Sequence, residues 1–203
     1  MTATTAIFSK QILRFWFGSY DEAEEIPTTI KKWFKVDQAF DREVHRKFGP
    51  ILQELVDGRA PYAAETPSDR LALVILQDQF PRNAFRGTSR AFAFDASALQ
   101  LASEMVDRQE DSSLLPFHRS FLYLPFTHSE QLEIQNRSVS LSQRLAREVP
   151  QELIEYFQDS FRYAERHREI IQHYGRFPHR NAILGRPSTP QELAFLKEPL
   201  SSF

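Results

Sequence analysis

The 203-residue chain is predicted to be all-α, built from antiparallel helix pairs stacked on one another. Three observations lead there. Apolar residues recur at helical spacing nearly from end to end. Proline and glycine punctuate that pattern at short intervals, as close connections between antiparallel helices require. No stretch alternates apolar and polar residues between hairpin turns, which is how a half-buried strand reads. No interdomain linker, low-complexity tract or long charge block interrupts the chain, so residues 1–203 are expected to form a single all-α domain.

The elements follow in order. Ile12, Phe15 and Trp16 form one face of a first helix that stops at Gly18. Residues 28–34 can form a short helix. Phe40, Val44, Phe48, Ile51 and Leu55 continue the spacing, with a kink expected at Gly49-Pro50. Residues 58–68 carry a Pro near each end and read as a surface loop. Ser68 can cap a helix running to about Gln79, which Pro81 would halt. Residues 88–108 form the next, with Phe92, Ala96, Leu99, Ala102 and Val106 or Met105 inward. Residues 117–124 are short and bounded by Pro116 and Pro125. Thr127-His128-Ser129-Glu130 matches a capping box and would open a helix with Ile134, Ser138, Leu141 and Leu145 on one stripe. Pro150 opens another, striped by Leu153, Phe157, Phe161, Ala164 and Ile171 and ending near Gly175. Thr189-Pro190-Gln191-Glu192 is a second capping box and starts a terminal helix.

Composition narrows the function classes. Phe occurs 18 times against 2 Met, so aromatic packing should dominate the interior. A net charge of −2 argues against a basic nucleic-acid-binding surface over the whole domain. The absence of Cys excludes a thiol nucleophile, disulfides and Cys-ligated metal centres. The longest aliphatic run, Leu71 to Leu76, is far short of the ~20 residues that span a bilayer. The first 18 residues lack the features of a signal peptide. The expectation is a cytoplasmic protein with no cofactor and neither nucleic acid nor membrane as partner.

One motif is used twice. Phe80-Pro81-Arg82-Asn83-Ala84-Phe85-Arg86-Gly87 returns as Phe177-Pro178-His179-Arg180-Asn181-Ala182-Ile183-Leu184-Gly185, with His179 as the extra residue. An apolar run precedes each copy, so two equivalent corners are expected, and they are expected to be neighbours in space.

These corners belong to a wider set: Ile12-Leu13-Arg14-Phe15-Trp16-Phe17-Gly18; Asp78-Gln79-Phe80-Pro81-Arg82-Asn83 with Phe85-Arg86-Gly87-Thr88; Phe121-Leu122-Tyr123-Leu124-Pro125 followed by His128-Ser129-Glu130; and Gly175 to Gly185 with Arg186 and Thr189. Together they resemble the bacterial domain-of-unknown-function family 924, over essentially the whole chain. The resemblance implies a tetratricopeptide-like helical fold and implies no activity. Gln77 departs from the Leu expected before the first Asp-Gln-Phe-Pro-Arg-Asn, a change in packing.

The candidate chemistry has a structural reading and a functional one. Structurally, Pro81 and Pro178 end helices, Asn83 and Asn181 bond exposed backbone groups, and Gly87 and Gly185 supply turns. Functionally, Arg82, Arg86, Arg176, Arg180 and Arg186 converge with Asn83, Asn181 and His179. Guanidinium groups converge around something anionic. That is a protein carboxylate such as Asp78, Asp95 or Glu130, or a bound phosphate or carboxylate, which the guanidinium fork suits. His128 has no role in its capping box and can point into a cleft, with Gln135 near enough along the helix to join it. With Glu130 or Asp78 it could do general acid–base work. His118, His128, His167 and His179 have no metal-ligand spacing, so no metal is expected. Ser129 beside His128 lacks the glycines of a nucleophile elbow.

Two function classes stay open. One is a binding module holding a peptide or a small anionic ligand at a polar site built from the two corners. The other is an enzyme using His128 and neighbouring carboxylates on an anionic small molecule. The density of Arg, His, Asn and Asp in three short segments favours a small-molecule pocket over a broad peptide groove.

Overall fold

Gly18 closes the first helix as expected. Its backbone is left-handed, with φ 81°, and its N–H reaches back to the Arg14 carbonyl at 2.9 Å. The computed structural model describes residues 3–18, 33, 36–59, 64–199 and 201–202. These carry eight α-helices: α1 Ala3–Phe17, α2 Gln38–Val56, α3 Pro67–Ala84, α4 Asp95–Asp107, α5 Pro116–Thr127, α6 Leu132–Glu148, α7 Ile154–Tyr174 and α8 Pro190–Phe195. Among the described residues there is no strand, so the protein is all-α. The helix expected over residues 28–34 lies outside the described residues, apart from Trp33.

The chain divides into two compact units. The first is Met1–Arg86 with Arg90–Leu122, and the second is Gly87–Ser89 with Tyr123–Phe203. In the first, α3 packs against α1, α2 and α4. Leu71, Ala72, Val74, Ile75, Leu76 and Phe80 are each 0% exposed, so α3 is buried nearly all round. Around it sits an aromatic core. The Trp16 ring meets Phe80 at 5.7 Å and Phe121 at 5.5 Å, and Phe48 meets Phe80 at 4.3 Å. Trp33 donates its indole N–H to the Trp16 carbonyl at 2.9 Å. Many Phe and few Met therefore become a core of edge-on and tilted rings.

In the second unit α6 and α7, joined by residues 149–153, pack against each other. Ser138, Leu141 and Leu145 face inward as expected, joined by Gln135 rather than Ile134. The α7 stripe holds at Phe157, Ala164 and Ile171, with His167 on the same face.

Several boundaries differ from expectation. Pro81 and Pro125 lie inside helices rather than ending them, whereas Pro50 lies inside α2, through which the helical spacing was expected to continue. A proline costs a helix one N–H and some crowding. At Pro81 and Pro125, burial of the surrounding side chains outweighs that. The cap of α3 is Thr66, not Ser68, in a capping box with Asp69. Residues 88–108 break into a 3-10 turn at Ser89–Phe92 followed by α4, in which Ala102 and Met105 are buried as expected, joined by Ala98, while Ala96 is exposed. The Thr189 box is present as expected, Thr189 accepting from the Glu192 amide at 3.2 Å and Glu192 from the Thr189 amide at 2.7 Å. Thr189→Ala is expected to cost about 1 kcal/mol in a urea titration. No change in midpoint would show the cap to be idle.

Thr127 is not a cap. It is the last residue of α5, and its hydroxyl bonds the Ser138 hydroxyl at 2.6 Å. The helix after it starts at Leu132, without a side-chain cap. Glu130, the residue that should have closed the box, is drawn away by a stronger partner. No described helix is long and apolar enough to cross a membrane.

Candidate functional site

Phe80 to Arg86 of the first copy belong to the first unit and the whole second copy to the second, and the two have different backbones. In the first, Phe80 to Ala84 is still helical. In the second, α7 has already ended at Gly175 (φ 68°), Phe177 is extended, and Pro178–Arg180 is a 3-10 turn. The copies agree again at their closing glycines, Gly87 and Gly185, both left-handed with φ 78° and 66°. The corners are therefore not structurally equivalent. One proline sits mid-helix. The other starts a new turn.

In the first unit the corner is a set of Arg–Asp pairs. Arg82 donates to both oxygens of Asp95 at 2.8 and 3.0 Å, and to the Asp78 carbonyl at 2.7 Å. The Asp78 carboxylate is 0% exposed, 3.3 Å from Arg82, and also accepts from the Gln79 amide. Asn83 and Arg86 both bind Asp41 in the first turn of α2, at 2.8 Å for Asn83 and 2.7 and 2.9 Å for Arg86. Burial alone would raise the Asp41 pKa, but those hydrogen bonds and the Arg86 charge hold it below the usual carboxylate range. His118 is in this unit too, its ring tilted against Phe17 at 4.5 Å and its pKa pushed down to about 4 by burial.

The second unit gathers the other candidates around residues 127–130. Gln135, 0% exposed on α6, donates from its amide to the Thr127 and Ser129 carbonyls at 2.7 and 2.6 Å. Arg180 donates to the carbonyl between them, His128, at 3.0 Å. Three consecutive carbonyls are thus held from two directions, which fixes the backbone on both sides of His128. Next along, Glu130 accepts two bonds from Arg186 at 2.6 and 3.0 Å and one from the Phe177 amide at 2.8 Å. Burial pulls the Glu130 pKa up, but Arg186, the Phe177 amide and the Arg180 charge outweigh it and leave it low.

Arg186 is completed by Asn181, whose side-chain oxygen accepts from it at 3.0 Å, and by the Phe177 carbonyl at 3.2 Å. Asn181 in turn donates to Ser188 at 3.0 Å. Arg176 binds Glu192, the capping-box partner of Thr189 in α8, at 2.6 and 2.9 Å and so ties α8 to the end of α7. That bond first, with the Thr189 amide adding to it, carries the Glu192 pKa down to about 2.

The Phe177 ring is the hub. The Arg180 guanidinium lies over it at 4.5 Å, His167 meets it at 5.4 Å and His179 at 5.6 Å. His167 is 1% exposed, with Nδ1 2.8 Å from the Tyr163 carbonyl. Burial first, then the charges of His128, Arg180 and His179, hold it well below the usual imidazole pKa. His179 is pushed down to about 4 by burial and by Arg180, with His128 and Arg186 adding and Glu130 opposing. Among the described residues no group of three or more His, Asp or Glu side chains is arranged to hold a metal ion.

The site thus unites His128, Glu130, His179, Arg180, Asn181 and Arg186, with Arg176 beside them on Glu192. Asp78, Arg82, Asn83 and Arg86 belong to the first unit. Asp41 had no local signal in the sequence, whereas Phe177 opens the second copy of the repeated motif. His167 did stand on the α7 stripe, at helical spacing from Ala164 and Ile171.

Over residues 12–200 the chain matches the model of the family described as bacterial protein of unknown function (DUF924). Its structure is similar to a solved structure of a protein of unknown function from Agrobacterium tumefaciens, with a TM-score of 0.80 and 35% sequence identity, covering 96% of this chain and 99% of that one. No curated protein matches it.

Proposed function

This chain belongs to the DUF924 family of bacterial proteins of unknown function, and for it we propose a binding role, with a small anionic molecule held at the second Phe-Pro corner. One observation carries the reading. Arg180, Arg186 and His179 gather around the carboxylate of Glu130, and Arg186 occupies that carboxylate with two hydrogen bonds. Two guanidinium groups meet one carboxylate there, while burial first, with Arg180 next, holds the His179 pKa down. An arriving phosphate or carboxylate relieves that imbalance. The acidic end of a peptide offers the same chemistry.

On this reading His128, His179 and Arg180 meet the ligand, while Arg186, Asn181 and Arg176 shape the corner. Arg82, Asn83 and Arg86 are architecture, each already held by Asp95, Asp78 or Asp41. Acid–base catalysis at His128 is less well supported. Asp78 is wholly buried against Arg82 and Gln79, and a Glu130 of low pKa that takes three N–H donors is a poor base.

Thermal unfolding with and without phosphate tests the binding role. Phosphate at ~100 times its dissociation constant should stabilise the parent by about 2.7 kcal/mol. Arg180→Gln should lose that response while changing intrinsic stability by about 1 kcal/mol or less. It gives up one hydrogen bond, to the His128 carbonyl. A parent that phosphate and simple carboxylates never stabilise would remove the anion site.

A further inference from the structure

Helix α2 has two exposed flanks that differ in charge. Val44, Phe48 and Leu52 face the core between them. On one flank Glu43 pairs with Lys47 at 2.8 Å, and Glu54 falls on that side by helical spacing. On the other flank Arg42, His45 and Arg46 are all exposed. Arg42 and Arg46 stand one turn apart, about 6 Å along the axis. Gly49 leaves the next turn bare, with the His45 ring beside it. Arg90 then joins from outside the helix. Its guanidinium lies over the Phe85 ring at 4.0 Å and donates to the Gln53 side chain of α2 at 3.1 Å. His45 meets the same ring edge-on at 5.9 Å. No described carboxylate pairs with Arg42, Arg46 or Arg90. The carboxylates at either end of the flank are already held, Asp41 by Arg86 and Asn83, and Asp57 by Arg59 and Gln53. Arg90 is thus fixed in place by a ring face and a neutral amide, without a counter-charge.

We propose that this flank of α2, together with Arg90, is a docking surface for an acidic peptide segment of a partner protein. Charge complementarity carries the choice. Three guanidinium groups stand in a row with no carboxylate among them, and each can take a partner's carboxylate on its fork. An extended peptide puts every second side chain on one side, about 7 Å apart, close to the step from Arg42 to Arg46. Val56, 50% exposed and three residues past Gln53 on the same flank, offers contact to an apolar residue at one end of the segment. A nucleic acid fits less well. Phe85 is buried and its face is covered by Arg90, so it offers no ring for a base to stack on, and a net charge of −2 gives no general attraction for a polyanion.

The probe is a fluorescein-labelled peptide alternating Glu and Ala, ending in Leu and amidated at its C-terminus. Binding to the full chain is read by fluorescence anisotropy at low salt. The parent should bind it, and the same peptide with Gln in place of Glu should bind at least roughly tenfold more weakly. Arg42→Gln/Arg46→Gln should weaken binding about tenfold and Arg90→Gln about fivefold. Both should keep the parent's urea midpoint, because these side chains are exposed. Arg180→Gln should bind as the parent does, which separates this surface from the second Phe-Pro corner. A parent that does not bind the Glu peptide, binding that survives both the α2 and the Arg90 variants, or binding lost in Arg180→Gln overturns the proposal. So does a labelled oligothymidylate that binds the parent more tightly than the peptide and is lost in the same variants, which would make the flank a nucleic-acid surface.

Discussion

Arg82→Gln is expected to cost about 3–5 kcal/mol of stability, the largest loss from one substitution in the first unit. Arg82 ties α3 to the first turn of α4 through both oxygens of Asp95, and it is the charge beside the wholly buried carboxylate of Asp78. Glutamine keeps a hydrogen-bonding end but supplies no charge, so Asp78 must either remain ionised in a medium that solvates it poorly or take up a proton. The measurement is a urea titration followed by the fluorescence of Trp16 and Trp33, both in this unit. The double variant Arg82→Gln/Asp78→Asn should regain part of the loss, because it removes the stranded charge as well. A single variant within about 1 kcal/mol of the parent would mean that Arg82 is not what makes the buried Asp78 tolerable.

Acid should weaken the protein before its carboxylates titrate. His179 binds a proton near pH 6.5 in the unfolded chain but only near 4 when folded. Below pH 6.5 the unfolded state therefore holds a proton that the folded state refuses. Stability is complete above pH 6.5, drains as the pH falls, and this loss is finished by about 4. Each tenfold difference in proton affinity between the folded and unfolded chain is worth about 1.4 kcal/mol, so His179 alone accounts for about 2 kcal/mol by pH 5. His167, buried deeper, acts in the same direction. Urea midpoints from circular dichroism at pH 7 and pH 5 check the loss, and His179→Gln should make it distinctly smaller. Equal midpoints for the parent at the two pH values would contradict neutral buried imidazoles.

How much of this was legible beforehand depended on distance along the chain. The repeated Phe-Pro-Arg-Asn motif was visible at once, and it did mark polar corners. Its two copies looked equivalent because they share letters. Yet Pro81 is carried inside α3 by the burial of Leu76 and Phe80, whereas Pro178 follows a helix that Gly175 has already closed. By local spacing Glu130 completes a capping box with Thr127, three residues before it. It went instead to Arg186, 56 residues along, with a bidentate ion pair that outcompetes one amide N–H. Asp41 offered no hint, since its partner Asn83 lies 42 residues away.

The sequence by itself determined the all-α class, the stop at Gly18, the Thr189 box and the inward faces at Val44, Phe48, Leu141, Leu145 and Phe157. Each of these is decided within about four residues by hydrogen bonds and side-chain spacing along one helix. Tertiary structure decided which arginine meets which carboxylate, that Gln135 and Arg180 share three consecutive carbonyls, and that two histidines and an arginine surround Phe177. Those choices depend on which charges and polar groups are buried together once the helices pack, and burial sets their strength.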